Sequence, residues 1–499
     1  MRVALLLPVM LSSCMFILDF DELQNGEPLA TGGAAGSNGS GGEGESAGET
    51  GRGGSNGTSG AGGGGGGADC GPCMEDSDPC TVARCVDQGS GPECVQQPVD
   101  GLVLEREYPP VVADRHYQLS MVAGSSEFYL SALSKVGFAA DAAIYRLPVA
   151  SNAGLSEAAR LSGLAAAGEP ISMASLAVDE SAGLQVHAYV ALKDLVGAGA
   201  KVWHIKFDAD FQPLGRMAVG STYFQNPNLE AQLHHPDARK IGDAVWGTWI
   251  NADGSISVDN GSNPRQFQLG SNATPASTVT LIATRANQPA VLYTGSTHGV
   301  FLQSEAGGQA TATECQPSDG LYYGAVAAPT SLAGLWFTNW TKSGTGFLTT
   351  ESKVVLCGPN GCAADTGCDA NEAQNFTRNI ALATAHLQGD PAGVLYYVDV
   401  LPNLAPGGND EVTASIVALL IRADFGTSAT LTQPPITKQV GETLVLSTQA
   451  TDEAHGFRGP DLAAAALIGR TAAIGWVEPL ADGRDQLRVQ RYALCLPPP

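Results

Sequence analysis

The stretch "LQVHAYVALKDLVGAGAKVWHIKFD", Leu184 to Asp208, decides how the chain is read. It holds two apolar runs rich in Val, Ala and aromatics, separated by a Gly-Ala-Gly-Ala break. Runs of this length with β-branched and aromatic residues on either side of a glycine turn spell a β-hairpin. Nothing in it has the three-to-four residue spacing of an amphipathic helix.

The same pattern returns along the chain. It occurs as "EFYLSALSKVGFAADAAIYRLPV", "AVWGTWINADGSISVD", "AVLYTGSTHGVFLQ" and "GLWFTNWTKSGTGFLTT". It then recurs as "GVLYYVDVLPNLAPGGNDEVTASIVALLI" and "AAIGWVEPLADGRDQLRVQRYAL". A shorter apolar stretch stands ahead of most copies, as in "ISMASLAV", "TVTLIATR", "NIALATAH" and "LAAAALIG". Three or four strands recurring about seven times, with a period near 55 residues, resemble a β-propeller. No blade signature motif recurs in register, and insertions are expected at Leu401–Asp410 and Gly426–Gly456. One or two β-sandwiches are the alternative all-β reading.

The N-terminal part has a different composition. Arg2 and the apolar "VALLLPVML" lead to Leu11-Ser12-Ser13-Cys14, which resembles a bacterial lipobox. That resemblance implies an exported lipoprotein, acylated at Cys14, at the outer membrane or cell surface. A secreted or periplasmic protein is the alternative. Residues 15–68 are set as a tether, because from Gly26 to Ala68 the sequence is Gly, Ser, Ala, Asn, Thr and Glu with almost nothing apolar and cannot bury enough surface to offset the entropy of ordering. They read as a disordered tether whose forty-odd Gly-rich residues span roughly 35 Å on average.

Residues 69–104 form a cysteine-rich module. Cys70-Gly71-Pro72-Cys73 spells a thioredoxin-type redox pair, but polyglycine precedes it and the acidic "MEDSDP" follows. Neither the buried strand nor the helix N-terminus that would lower a thiol pKa is available there. Asp78-Pro79-Cys80-Thr81, Cys85, Gly91, Cys94, Pro98 and Gly101 resemble instead a short Cys-rich motif of secreted bacterial and slime-mould surface proteins. That likeness implies an extracellular disulfide module and no activity. The propeller-like region is set at 105–499.

Cysteine arithmetic adds one expectation. With Cys14 lipidated, Cys70, Cys73, Cys80, Cys85 and Cys94 remain in the module, and Cys315, Cys357, Cys362, Cys368 and Cys495 in the β region. Two odd sets cannot both close internally, so either one bridge joins them or each keeps a free thiol, and the bridge is expected because loose thiols are unsafe outside the cell. Cys495 is the favoured partner, because the first and last blades of a ring meet at one seam.

The charge of −24, from 26 basic and 50 acidic residues, opposes nucleic acid and anionic lipid as partners. The only dense polar constellation is His234-His235-Pro236-Asp237 with Glu230 nearby, a donor set that suits zinc or manganese. Neighbouring strand residues point to opposite faces, so a turn would be needed to bring both imidazoles to one ion. The Asp-rich pieces "DADF" and "NADGSISVDNG" read as turns rather than calcium loops. Gly53-Gly54-Ser55-Asn56-Gly57 matches a nucleophile elbow only by composition, lacking the flanking strand and helix. No catalytic residue and no cofactor are inferred. The expectation is a monomeric binding or scaffold protein for a protein or glycan ligand, touching the membrane only through its lipid. A secreted hydrolase or lyase on the same scaffold is the alternative. Cys14→Ala is expected to abolish incorporation of radiolabelled palmitate; label retained in that variant refutes the lipobox.

Overall fold

In the computed structural model, residues 73–497 are described apart from connecting segments, the longer ones being 162–169, 223–235, 268–275, 305–310, 313–320, 330–335, 344–349, 363–380, 425–435 and 452–462. Between 294 and 380 it describes strands but not side chains. The Cys70 and Cys14 expectations lie outside these residues. Gly67–Pro499 form one compact unit.

Each hairpin of the sequence pattern is the central strand pair of a four-stranded antiparallel sheet, or blade. Blade 1 runs Arg115–Ala123, Glu127–Val136, Ala139–Pro148 and Ser156–Arg160. Blade 2 runs Ser175–Asp179, Gln185–Lys193, Ala200–Phe207 and Pro213–Thr222. Blade 3 runs Asp237–Ile241, Ala244–Ile250, Ile256–Asp259 and Arg265–Phe267. Blades 4, 5 and 6 open on Ala276–Ala283, Leu321–Pro329 and Ala381–Ala385. Blade 7 has Ala463–Ile468, Thr471–Pro479 and Asp485–Cys495, and its fourth strand is Gly101–Glu107. The short apolar stretches ahead of the hairpins are the first strands.

These first strands touch one another in succession, blade 1 to blade 7, and the last returns to the first. That cycle makes the ring, and it excludes the sandwich reading, in which two sheets would stack face to face. Second strands lie between two neighbouring blades, which explains their composition. Gln185–Lys193 is buried at seven consecutive positions, so both faces must be apolar or aromatic. The outer strand Pro213–Thr222 is exposed over its first six residues, Leu214 and Met217 included.

Two expectations need correction. The segment 401–410 is not all insertion, since Leu401–Pro406 continue the long second strand Val394–Pro406 of blade 6. Likewise Ile436–Thr451, inside the second expected insertion, is that blade's outer strand. The Asp-rich pieces are turns. Asp253 accepts the Ser255 amide at 3.0 Å with Gly254 at φ 79°, and Asp208 accepts the Gln212 amide at 2.8 Å.

The ring is closed through its N-terminal end. Gly101 pairs with Cys495 and Glu107 with Gln490, while Val111–Ala113 add to the same edge at Asp485–Leu487. Ion pairs reinforce that edge: Arg491 Nε donates to Glu105 at 2.9 Å, and Arg488 meets both Glu107 and Glu478. Arg491 also donates to the Val149 carbonyl of blade 1 at 2.6 Å. Cys80 is bonded to Cys495 across 415 residues of sequence. Cys73 is bonded to Cys94, so its sulfur is not held in a Cys70–Cys73 redox pair. Cys85, opposite Cys94 in the module's hairpin, is also disulfide-bonded. Replacing Cys80 and Cys495 together by Ser should lower the unfolding free energy by about 6 kcal/mol on the chain-entropy account for a loop of this length, read as a lower urea midpoint with an intact β spectrum at zero urea.

Candidate functional site

Of the polar constellation that the sequence singles out, Asp237 is described, at the seams that join blades 2, 3 and 4. Asp237 begins the inner strand of blade 3, immediately after Pro236. Its Oδ2 accepts the Leu281 amide of blade 4 at 2.8 Å and Arg239 Nε at 3.3 Å. Its Oδ1 accepts from Ser175 Oγ of blade 2 at 3.3 Å and from the Ala238 amide at 3.0 Å. The Ala238 amide is shared with Ser175 Oγ, also at 3.0 Å. One carboxylate therefore ties three inner strands together, with both oxygens engaged by donors. His234, His235 and Glu230 lie outside the described residues. Among the described residues no group of three His, Cys, Asp or Glu side chains comes together as a metal site.

Further side-chain ties join blades at the seam of blades 2 and 3 and at the seams of blade 1 with blades 2 and 7. The Ala174 amide of the segment leading into blade 2 donates to Ser131 Oγ of blade 1 at 3.1 Å, and Thr222 Oγ1 donates to the Ile250 carbonyl of blade 3 at 2.6 Å. The His116 amide donates to Asp485 of blade 7 at 3.0 Å. Lys240 pairs with Asp179, and Ser125 donates to Glu180 from amide and hydroxyl at 2.9 Å each. His116 itself is buried between Ser134 Oγ and the Val111 carbonyl, and burial holds its pKa below the usual imidazole value.

Behind the inner strands lies a histidine pair that only the strand register brings together. Tyr189 faces His204 across the hairpin, and His187 sits two residues from Tyr189 on the same face. His187 Nδ1 and His204 Nε2 are 2.9 Å apart, so one ring donates its proton to the other. His204 also stacks on Tyr189 with centroids 4.4 Å apart, and the Tyr189 hydroxyl donates to Asp259 at 3.5 Å. Burial is the main cause that pushes both imidazoles down to about 4, with Lys206 adding to it on each and His187 acting on His204. Burial, then Asp259, pushes the Tyr189 phenol up. Tyr189 is fully buried, His187 is 8% exposed and His204 is half-buried, so the cluster is largely packed into the seam.

Close packing completes the seam. A Cβ on Gly247 would stand 2.1 Å from the Tyr189 ring, and one on Gly220 2.5 Å from the Trp249 ring. Only glycine leaves room for those aromatics. His187, like His298 and His386, falls within a repeat unit of the sequence, whereas nothing there marks His204, Tyr189 or Asp259. The available signal was the hairpin register of Leu184–Asp208.

His298 and His386 lie outside the described residues. Cys357 and Cys362 fall opposite each other across the outer pair of blade 5; the side chains of Cys315, Cys357, Cys362 and Cys368 are not described. No helix among the described residues is long and apolar enough to cross a membrane.

No protein-family model and no curated protein matches the chain by sequence. Solved structures are similar to it at low scores. SapL1 lectin in complex with alpha methyl fucoside aligns at TM-score 0.32 and 11% identity, over 66% of this chain and 97% of the lectin. The Trypanosoma rangeli sialidase in complex with the inhibitor DANA aligns at 0.35 and 9%, over 82% of this chain and 57% of the sialidase. The polysaccharide lyase Uly1 aligns at 0.34 and 8%, over 78% of this chain and 99% of the lyase.

The histidine pair carries a pH prediction. Its folded pKa of about 4 lies below the ordinary 6.5, so the unfolded chain binds more protons between those values. Its stabilisation is complete above about pH 6.5 and is lost as pH falls toward 4. Replacing His187 and His204 together by Gln should flatten the urea midpoint between pH 7 and 4; an unchanged slope refutes the assignment.

Proposed function

We propose that this chain is an exported, N-terminally tethered binding propeller that recognises a protein or a glycan. Disulfide-bonded cysteines suit an exported protein. The observation that carries the binding reading is the way polar side chains are used. Asp237, Ser175, Ser131, Thr222 and Asp485 fix blade to blade. The blades are thereby tied into one framework, on which the segments that connect them would carry the recognition. Recognition by loops held on a rigid frame is the usual division of labour in such architectures. The net charge of −24 disfavours nucleic acid as the ligand and keeps the displayed surface soluble.

The oxidised full chain, fluorescently labelled, should bind bacterial surface material saturably. Binding abolished by protease treatment of that material identifies a protein ligand, and binding abolished by periodate a glycan. Loss of binding with neither treatment, or release of new reducing ends or unsaturated sugars from a polysaccharide panel, overturns the proposal; the second outcome installs a hydrolase or lyase.

A further inference from the structure

The place where the cysteine module meets the ring has a geometry that closure alone does not demand. The module's hairpin pairs Thr81 with Pro98, and the Val99 amide donates to the Cys80 carbonyl at 2.9 Å. Both legs of the hairpin therefore end at one point. Cys80 is bonded there to Cys495, and two residues after Val99 the chain enters the closure strand at Gly101, whose strand partner is again Cys495.

A second element presses on the same point. Gly441, in the outer strand of blade 6 at φ 72°, lies so close that a Cβ would stand 2.3 Å from the Asp100 carbonyl oxygen. Gly101, at φ 112°, would place its own Cβ 3.2 Å from Gly441 Cα. Module, closure strand, last strand and blade 6 thus meet within a few residues.

Consider tension drawn along the chain from the N-terminal side. The closure strand is antiparallel to the last strand and begins at Gly101, the end that such tension pulls. Without a cross-link, the pull would unzip the pairs one at a time, from Gly101–Cys495 towards Glu107–Gln490. Serial unzipping is the weakest way to load a strand pair, since each step opposes the force with only one pair's hydrogen bonds. The Cys80–Cys495 bond sits at the first pair that would open, and Cys80 comes before Gly101 in the chain. Tension reaching Cys80 passes into Cys495 and so into the last strand, which is itself paired with Thr471–Pro479.

We propose that this junction is a force clamp: the Cys80–Cys495 bond diverts tension from the N-terminal segment into the core of blade 7 and shields the closure strand from peeling. The Gly101–Gly441 crossing is the seat that holds the junction in register. This function does not depend on the ligand's identity and would serve any surface protein held at one end while its ring grips something else.

Optical tweezers test it on the full oxidised chain, with one handle ahead of Cys73 and the other at Ala252, in an exposed turn of blade 3. The natural protein should show no extension before the ring itself ruptures. In the variant with Cys80→Ser and Cys495→Ser, an earlier step at lower force should appear. The Cys73–Cys94 bond short-circuits the hairpin, so the step releases the residues after Cys94 up to Glu107, about 45 Å at full extension. An early step in the oxidised natural protein, or equal first-rupture forces in both, overturns the clamp. Slow amide exchange at Leu102–Arg106 without force verifies that the variant's ring is closed before pulling. Should the double variant fail that check, Cys80→Ser alone, which leaves the buried Cys495 in place, is pulled under the same criteria.

Discussion

A row of twisted sheets joined side by side has two raw ends, and this chain joins them by giving blade 7 a strand from the beginning of the sequence. The pairing of Gly101–Glu107 with the last strand is the constraint on which the remaining structure depends. Until it forms, blade 7 presents an unpaired edge at Asp485–Cys495, and blades 1 and 7 have no reason to remain in contact. Once it forms, every first strand has two neighbours, and each blade is packed on both faces. Ion pairs from Arg488 and Arg491 and the Cys80–Cys495 bond all fall on this one edge. Their concentration there matches the mechanics of a ring, in which the last joint made is the first to open.

Inside the ring the blades are held by two physical means that divide the work by position. Along the inner strands, short polar side chains reach the backbone of the adjoining blade, as Ser175 and Asp237 do. There the strands lie close together, and buried amides and carbonyls that lack a sheet partner must be satisfied by other groups. Farther out the gap widens, and aromatics fill it against glycines, as Tyr189 does on Gly247 and Trp249 on Gly220. Burying a Trp or Tyr against a bare backbone removes far more apolar surface than a pair of medium side chains would. The histidine pair of blade 2 belongs to this packing, and burial favours the neutral form of both rings.

The parts of this architecture that were legible in the sequence are those whose burial is two-sided. All seven hairpins stood out because central strands packed between blades are apolar on both faces. First strands were visible where their alanines and leucines ran together, as in Ala463–Ile468. Fourth strands were hidden for the opposite reason. Thr311–Ala312 and Gly361–Cys362 are two residues long, and Pro213–Thr222 is mostly exposed, so neither length nor pattern marks them. The closure strand was divided between module and ring at 104/105, since its pairing partner lies nearly four hundred residues away and leaves no local trace. Asp237 read as a metal-ligand candidate because it follows two histidines, whereas besides Ala238 and Arg239 next to it its bonds run to residues 62 and 44 positions distant. Spacing along the chain reports chemistry only when the partners are local.

The closure also sets an order on folding. Blades 1 to 6 are hairpins of neighbouring strands and can assemble from local contacts, but the seventh needs both extremities of the compact unit at once. Contacts of such sequence separation form late, because the entropy of closing the loop must be met before they contribute. Cys80 therefore has to remain available until Cys495 arrives, in a module where other thiols lie within a few residues. The Cys73–Cys94 bond spans only 21 residues, so it can form without the ring and withdraws two of the nearest competitors. Cys495, fully buried in the finished protein, becomes inaccessible as the last strand packs. Correct pairing thus follows from topology: the local bond is made first, and the long-range bond is made by the fold that brings its two sulfurs together.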